Sequence, residues 1–260
     1  MSTLPTPQEI ELLRREKHAS NPHADLSEDL ERLASGEPLA YVIGWIPFLN
    51  LKIWLDSSIR PLIPRPETEW WTEKLIEHLK YKFEDTAFTL LDLCAGSGAI
   101  GLAILKAFPN ASVSFGELEP ELEALIRRNL EENNLDESRA IIKTGDLFAP
   151  FANERFDIIA TNPPYIPEDR KLESAVTSFE PGFALFAGAD GLDIITRISK
   201  ETPNHIHRNG ELWMECDIAN IAEAEKSFHQ AHARIQHPSI ETRIEPDQYG
   251  RPRLLVAHFN

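Results

Sequence analysis

Asn162-Pro163-Pro164-Tyr165 sets a carboxamide, two prolines and an aromatic ring at the end of a short apolar run, Phe156-Asp157-Ile158-Ile159-Ala160-Thr161. The run reads as a buried strand, and Ile166-Pro167-Glu168-Asp169 after it reads as loop. In an open parallel sheet, that edge is where ligands bind. Asn162 carries one acceptor and two donors on a short side chain, enough to hold an amide or a base amino group in one orientation. Pro163 and Pro164 have fixed φ and no N–H, so they stiffen the loop and leave carbonyl oxygens to accept from an incoming –NH2. Tyr165 adds a flat apolar face with a hydroxyl at its rim. Together the four suit a planar –NH2 nucleophile that is oriented rather than deprotonated. Read alone, they also make a proline-rich turn.

The elements that must position this loop alternate strand and helix. Strand 88–93 leads through the glycine turn Cys94-Ala95-Gly96-Ser97-Gly98 into a helix over 99–108, stopped by Pro109-Asn110. Strand 111–115 follows, with Glu117 at its tip, then a helix over 120–133 and strand 140–144, which runs into Gly145-Asp146-Leu147-Phe148. The fourth strand carries Asn162. Beyond it come a helix over 192–201, a turn at Arg208-Asn209-Gly210, a strand over 211–215, a helix over 218–233 and an antiparallel pair in 240–244 and 253–258. This order predicts an α/β fold, a doubly wound, mostly parallel sheet closed by antiparallel strands.

Upstream, helices are expected over 8–18 and 28–34, the first broken at Asn21-Pro22-His23, the second capped by Asp25 or Ser27. Two short helices cannot build a core, so they must pack on something else. Residues 39–55 alternate aromatic and aliphatic side chains around Asn50 and predict a β-hairpin. Three prolines between Ile59 and Glu69 forbid a regular element there. A helix then starts near Thr68 and runs through Leu79. That rigid stretch either lines a pocket at a helix N-terminus or links two domains. The expected units are a helical segment over 1–38, hairpin and linker over 39–66, and a catalytic domain over 67–260.

Composition bounds the partners. With 42% hydrophobic and 26% charged residues, the 260-residue chain is an ordinary globular sequence. It has no apolar run of about 18 residues, and Met1 to Pro7 lacks an export signal, so a cytoplasmic protein with no membrane partner is expected. Cys94 and Cys216 lie too far apart in sequence for a disulfide framework or a metal spacing. His205 and His207 read as loop, and no metal is expected. A formal net charge of −16 argues against stable nucleic-acid binding, which needs a basic footprint.

Gly96-Ser97-Gly98-Ala99-Ile100-Gly101 matches the dinucleotide fingerprint, with an acidic residue, Glu117, about 20 residues on. An NAD(P)-dependent oxidoreductase therefore competes. Against it, Asp92 sets a carboxylate near the strand end, where it can meet a cationic or amino group. Asp146 is placed to accept from an adenine amino group, and the Asn162 loop has no hydride-transfer role. A ligand with an amino-acid tail, a ribose and an adenine fits all three strand ends; S-adenosylmethionine is such a ligand.

The glycine turn in Leu90 to Gly98 and the Asn162-Pro163-Pro164-Tyr165 loop resemble amino-group methyltransferases. Leu62-Ile63-Pro64-Arg65-Pro66-Glu67-Thr68-Glu69, Glu180-Pro181 with Ala184 to Leu192, Tyr41-Val42-Ile43-Gly44 and Asp247 to Arg251 resemble the HemK/PrmC family. These are protein-(glutamine-N5) methyltransferases acting on the Gly-Gly-Gln motif of class 1 peptide chain release factors. The resemblance runs from about residue 26 to the end. It implies a Rossmann-like class I methyltransferase fold. It also implies cofactor contacts from the backbone of Cys94, Ala95, Gly96, Ser97 and Gly98, from Glu117 to the ribose, and from Asp146 and Leu147 beside the adenine. Asn162 and the Pro163 carbonyl would hold the glutamine amide, with Pro164 in the same loop and Tyr165 packed against it. Four features depart from the pattern, one of them Cys216-Asp217 after Glu215, where glycine is common. Cys94 stands where the family usually has glycine, Leu147 where some members have an aromatic, and the helical segment before Glu37 is short. The implied reaction is in-line methyl transfer to the amide nitrogen. A DNA adenine N6-methyltransferase, using the same loop, is the alternative.

Overall fold

The computed structural model describes residues 4–21, 23–233 and 239–260. The chain opens with helices α1 (Pro7–Glu16) and α2 (Ser27–Ala34). Thr6 and Glu9 cap α1 reciprocally. No side chain caps α2: Leu26 holds that position, and Asp25 accepts from the Ser27 amide and hydroxyl instead. Pro22, expected to break the first helix, lies outside the described residues. The alternation from Leu39 predicts strand, yet Leu39–Ile43 forms a short helix, α3, between Pro38 and the left-handed Gly44 at φ 92°. Val42 of α3 joins Leu13, Leu26 and Leu33 in a small apolar cluster. The first two helices therefore pack on a third.

Strands β1 (Trp45–Phe48) and β2 (Leu51–Trp54) form the antiparallel hairpin. Helix α4 (Pro66–Phe83) starts on a proline, whose fixed φ suits a first helical turn. Then follow β3 (Phe88–Leu93), α5 (Ala99–Ala107), β4 (Ala111–Glu117), α6 (Glu121–Glu132), β5 (Ala140–Thr144), β6 (Phe156–Thr161) and α7 (Ser174–Phe179). The chain closes with α8 (Asp193–His205), β7 (Ile206–Glu215), α9 (Ile221–Ala233), β8 (Ile240–Pro246) and β9 (Pro252–Phe259).

Among the described residues, seven strands make one sheet in the order β5-β4-β3-β6-β7-β9-β8. β9 runs antiparallel to both β7 and β8; the other pairs are parallel. The expected turn at Arg208-Asn209-Gly210 lies inside β7. Asn209 adopts φ 62°, and the register against β6 slips from Phe156↔Ile206 to Ile158↔Glu211, so the turn-like residues form an irregularity within a longer strand. His205 ends α8 and His207 belongs to β7, rather than to a loop.

Side-chain alternation along the strands sorts the core onto two faces. Leu90, Ile158 and Trp213 pack with Leu75, Leu79 and Leu102 on one side. Leu91, Ile159 and Leu212 pack with Ile195, Ile198 and Phe228 on the other. Tyr41, Phe48, Ile53 and Ile63 join the first cluster, so the hairpin and the proline stretch share the sheet's core. Two asparagines, one in α6 and one capping its end, dock the hairpin. Asn129 accepts from Trp54 N at 2.7 Å and donates to Trp54 O, while Asn133 does the same for Lys52. Their amides thereby satisfy an edge that an open strand would leave bare.

Gly101 fixes the approach of α5 to β4. A Cβ there would lie 2.4 Å from Phe115 Cε1, and Phe115 is fully buried. The helix that follows the glycine turn therefore sits closer to the sheet than any side chain permits.

Candidate active site

Strand register lines up the site. Leu93 pairs with Gly116 and with Thr161, and Thr161 pairs with Met214. The next residues, Glu117, Cys94, Asn162 and Glu215, therefore stand in a row at the carboxyl edge of four adjacent strands. Winding reverses here, because β4 lies on one side of β3 and β6 on the other. That is the crevice where open α/β sheets take their ligands.

A cleft of about 1000 Å³, counted out to its mouth, opens at this edge. Cys94, Ala95, Gly96, Ser97, Glu117, Asp146, Leu147, Asn162 and Pro164 line it. Gly98 stands behind them as the left-handed N-cap of α5, at φ 82°. Pro163 is buried, and Tyr165 turns toward Glu215 instead of the cleft wall.

The glycine turn is held from the side by Glu117. Its Oε2 accepts from Gly96 N at 2.7 Å, and its Oε1 accepts from Leu118 N and Glu119 N at 2.8 and 3.1 Å. Burial pushes this carboxyl above its usual value, against the pull of those three amides. A Cβ on Gly96 would meet no atom within 4 Å, so the space beside it belongs to the cleft. Cys94 adopts φ 60°, the left-handed region where a glycine carries no penalty. Its thiol is pushed well up by burial and by the neighbouring Glu117 charge, which keeps it protonated. Leu147 is left-handed too, at φ 47°. Asp146 sits in an ion pair with Arg197 at 2.7 Å on the half-open rim.

Asp92 differs from expectation. It is fully buried, takes no part in the cleft wall, and accepts from Gly101 N at 2.8 Å across to α5. Its carboxyl is pushed well up, first by burial, and its Oδ1 has no hydrogen-bond partner. A carboxylate within a strand points to one face or the other, and this one, a residue before the strand's end, faces α5.

The proline stretch lines the cleft through Pro61, Leu62, Pro64 and Thr68, the first of the two readings left open by its sequence. It is braced from several sides. Tyr41 Oη donates to Pro61 O at 2.5 Å. Glu180, its side chain buried, takes both bonds from Arg65 Nη2 at 2.8 and 2.9 Å. Arg251 Nη2 donates to Glu67 at 2.9 Å from the β8–β9 turn, and that turn is closed on Asp247. Glu69 accepts from Leu49 N of the hairpin. Motifs scattered through the sequence thus converge on one wall.

Thr68, Trp71 and Glu215 escaped the sequence reading. Glu215 is 1% exposed and accepts from Thr68 Oγ1 at 2.6 Å, Trp71 Nε1 at 2.8 Å and Tyr165 Oη at 2.8 Å. Asn162 Nδ2 donates to Thr68 Oγ1 at 3.0 Å. Burial and the Glu215 charge push the Tyr165 hydroxyl well above its usual value, so it remains a donor. The one local signal was a lone acidic residue ending an apolar strand; the partners come from elements far away in the chain.

Residues 69–179 match the Methyltransferase small domain family. A release factor glutamine methyltransferase of Lactococcus lactis subsp. lactis is 36% identical over 249 residues, 94% of this chain and 85% of that protein. One of Streptococcus pneumoniae is 33% identical over 233 residues, covering 88% of this chain and 78% of the relative. Among solved structures, a methyltransferase from Pyrococcus furiosus superposes with a TM-score of 0.52 at 16% identity, over 90% of this chain and 98% of its own. A methyltransferase complexed with SAH superposes with a TM-score of 0.54 at 14% identity, over 80% of this chain and 53% of its own. These two likenesses establish the fold.

Proposed function

The chain belongs to the release factor glutamine methyltransferase family, and from that premise we propose that it methylates the N5 side-chain nitrogen of glutamine in the Gly-Gly-Gln motif of class 1 peptide chain release factors. The methyl donor is S-adenosylmethionine, which supplies a methyl group on an electron-poor sulfonium. The donor set suits it. A turn with open space at Gly96 can cradle the amino-acid end, Glu117 offers carboxylate oxygens to ribose hydroxyls, and Asp146 with Leu147 borders the base.

Asn162 carries the reading. It lines the cleft beside Pro164, one residue past the strand that flanks the glycine turn. Among the described residues no donor reaches the Pro163 carbonyl or Asn162 Oδ1. Both are therefore available to accept from an amide –NH2. An amide nitrogen is a weak nucleophile because its lone pair is delocalised. The contribution of these residues is to fix its orientation, and positioning of this kind supplies much of the rate.

We take residues 1–38 as a helical appendage, 39–66 as hairpin and linker, and 67–260 as the catalytic domain. No helix among the described residues is long and apolar enough to cross a membrane, and a substrate used in translation favours the cytoplasm. A net charge of −16 does not favour DNA as the acceptor. The test is Asn162→Ala with labelled cofactor and release factor. Methylation falls at least about 100-fold while cofactor affinity is largely kept. Retained turnover sinks the assignment.

A further inference from the structure

Hydrogen-bond direction around Glu215 constrains Asn162 in a way that distance alone does not. An ionised carboxylate only accepts. Trp71 Nε1 only donates, and it takes Glu215 Oε2 at 2.8 Å together with Thr68 Oγ1 at 2.6 Å. The single hydroxyl proton of Thr68 is thus committed to Glu215. What remains at Thr68 Oγ1 is acceptor capacity, which Asn162 Nδ2 fills at 3.0 Å. The Asn162 amide can then stand one way only, with nitrogen toward Thr68 and oxygen away from it. Thr68 is 4% exposed and Glu215 1%, so water does not compete for these bonds.

We propose that Glu215, acting through Thr68, is the positioning residue that sets the polarity of the acceptor site. It holds Asn162 Oδ1 as an acceptor, so the site receives a group with two donor hydrogens, a primary amide, and rejects a carboxylate of the same shape. The proposal rests on the glutamine methyltransferase reading and deepens it. If the Asn162 amide turned over, its –NH2 would face the substrate –NH2, and donor would meet donor. Tyr165 Oη occupies the second oxygen of Glu215 at 2.8 Å, so the same carboxylate anchors both ends of the Asn162-Pro163-Pro164-Tyr165 loop.

Three variants test this: Thr68→Val, which keeps shape and removes both bonds, Thr68→Ser, which restores the hydroxyl, and Glu215→Gln. Methylation of a release factor is followed under saturating cofactor, and cofactor affinity is measured by calorimetry. The relay predicts a fall in kcat of about 100-fold in Thr68→Val, cofactor affinity within about 3-fold of the parent, and recovery of the rate in Thr68→Ser. Glu215→Gln, which can donate as well as accept, loses rate in the same direction.

The Asn162 side-chain –NH2 resonance, assigned by its loss in Asn162→Ala, reads the relay without any turnover. It moves in Thr68→Val and stays in Thr68→Ser. Parent-like kcat in Thr68→Val, or an unmoved Asn162 resonance, overturns the relay. Should the parent enzyme leave the release factor unmodified, the functional reading fails, and the resonance still decides whether Thr68 orients Asn162.

Discussion

Glu117 Oε2 accepts a 2.7 Å hydrogen bond from Gly96 N, so the tip of β4 clamps the glycine turn that follows its neighbour β3. One carboxylate serves both the glycine turn and the proposed ribose contact. Glu117→Ala removes an ionised acceptor from both. Hydrogen bonds to charged groups contribute about 1.5–3 kcal/mol. Calorimetry is expected to show cofactor affinity lower by roughly 10- to 100-fold. Because burial raises this carboxyl above 4.5, affinity should begin to fall on acidification at a pH above that value. A flat affinity profile down to that pH would separate Glu117 from the ribose.

Asp92 gives a pH signature of stability. Its folded pKa is raised well above 3.8 by burial, and Oδ1 has no partner. A raised carboxyl contributes stability that is full below the unfolded pKa and is lost as pH rises through the folded one. Asp92→Asn keeps an acceptor for Gly101 N and carries no charge. Its melting temperature should therefore exceed the parent's near neutral pH, with the gap closing toward pH 3.8. A gap that is constant with pH would mean that the Asp92 carboxyl has the same pKa folded and unfolded.

Gly101→Ala tests the close approach of α5 to β4. A new Cβ would sit 2.4 Å from a ring with no room to retreat. Overpacking of this kind costs about 1–3 kcal/mol, a fall in melting temperature of roughly 3–10 °C for a chain of this size. An unchanged melting curve would show that the helix shifts freely.

The parallel core was readable because buried strands are continuous apolar runs, as in Phe88 to Leu93 and Phe156 to Thr161, each ending on a turn signal. Cleft residues were readable for the same reason: they follow directly from strand ends. Other features depend on three-dimensional context. Leu39 to Ile43 alternates like a strand, but Pro38 and Gly44 bracket it as a helical turn. Arg208-Asn209-Gly210 has turn chemistry, yet Ile206 and Glu211 on either side of it pair with β6, and Gly210 pairs with Phe259 of β9, so the stretch stays within β7. Asp92 lies near the strand end, where the sequence sets it to meet a cationic or amino group, but strand alternation turns its side chain to Gly101 N of α5. Glu215 could not be coupled to Thr68 from sequence at all, since the bond joins the last parallel strand to the start of α4.

Mass spectrometry of release-factor peptides after incubation with the protein and S-adenosylmethionine bears on all of this at once. A mass increase of one methyl group, localised to the glutamine of Gly-Gly-Gln and absent with Asn162→Ala, is the expected result. An unmodified glutamine with active cofactor present, or a methyl group on any other residue, would overturn the assignment.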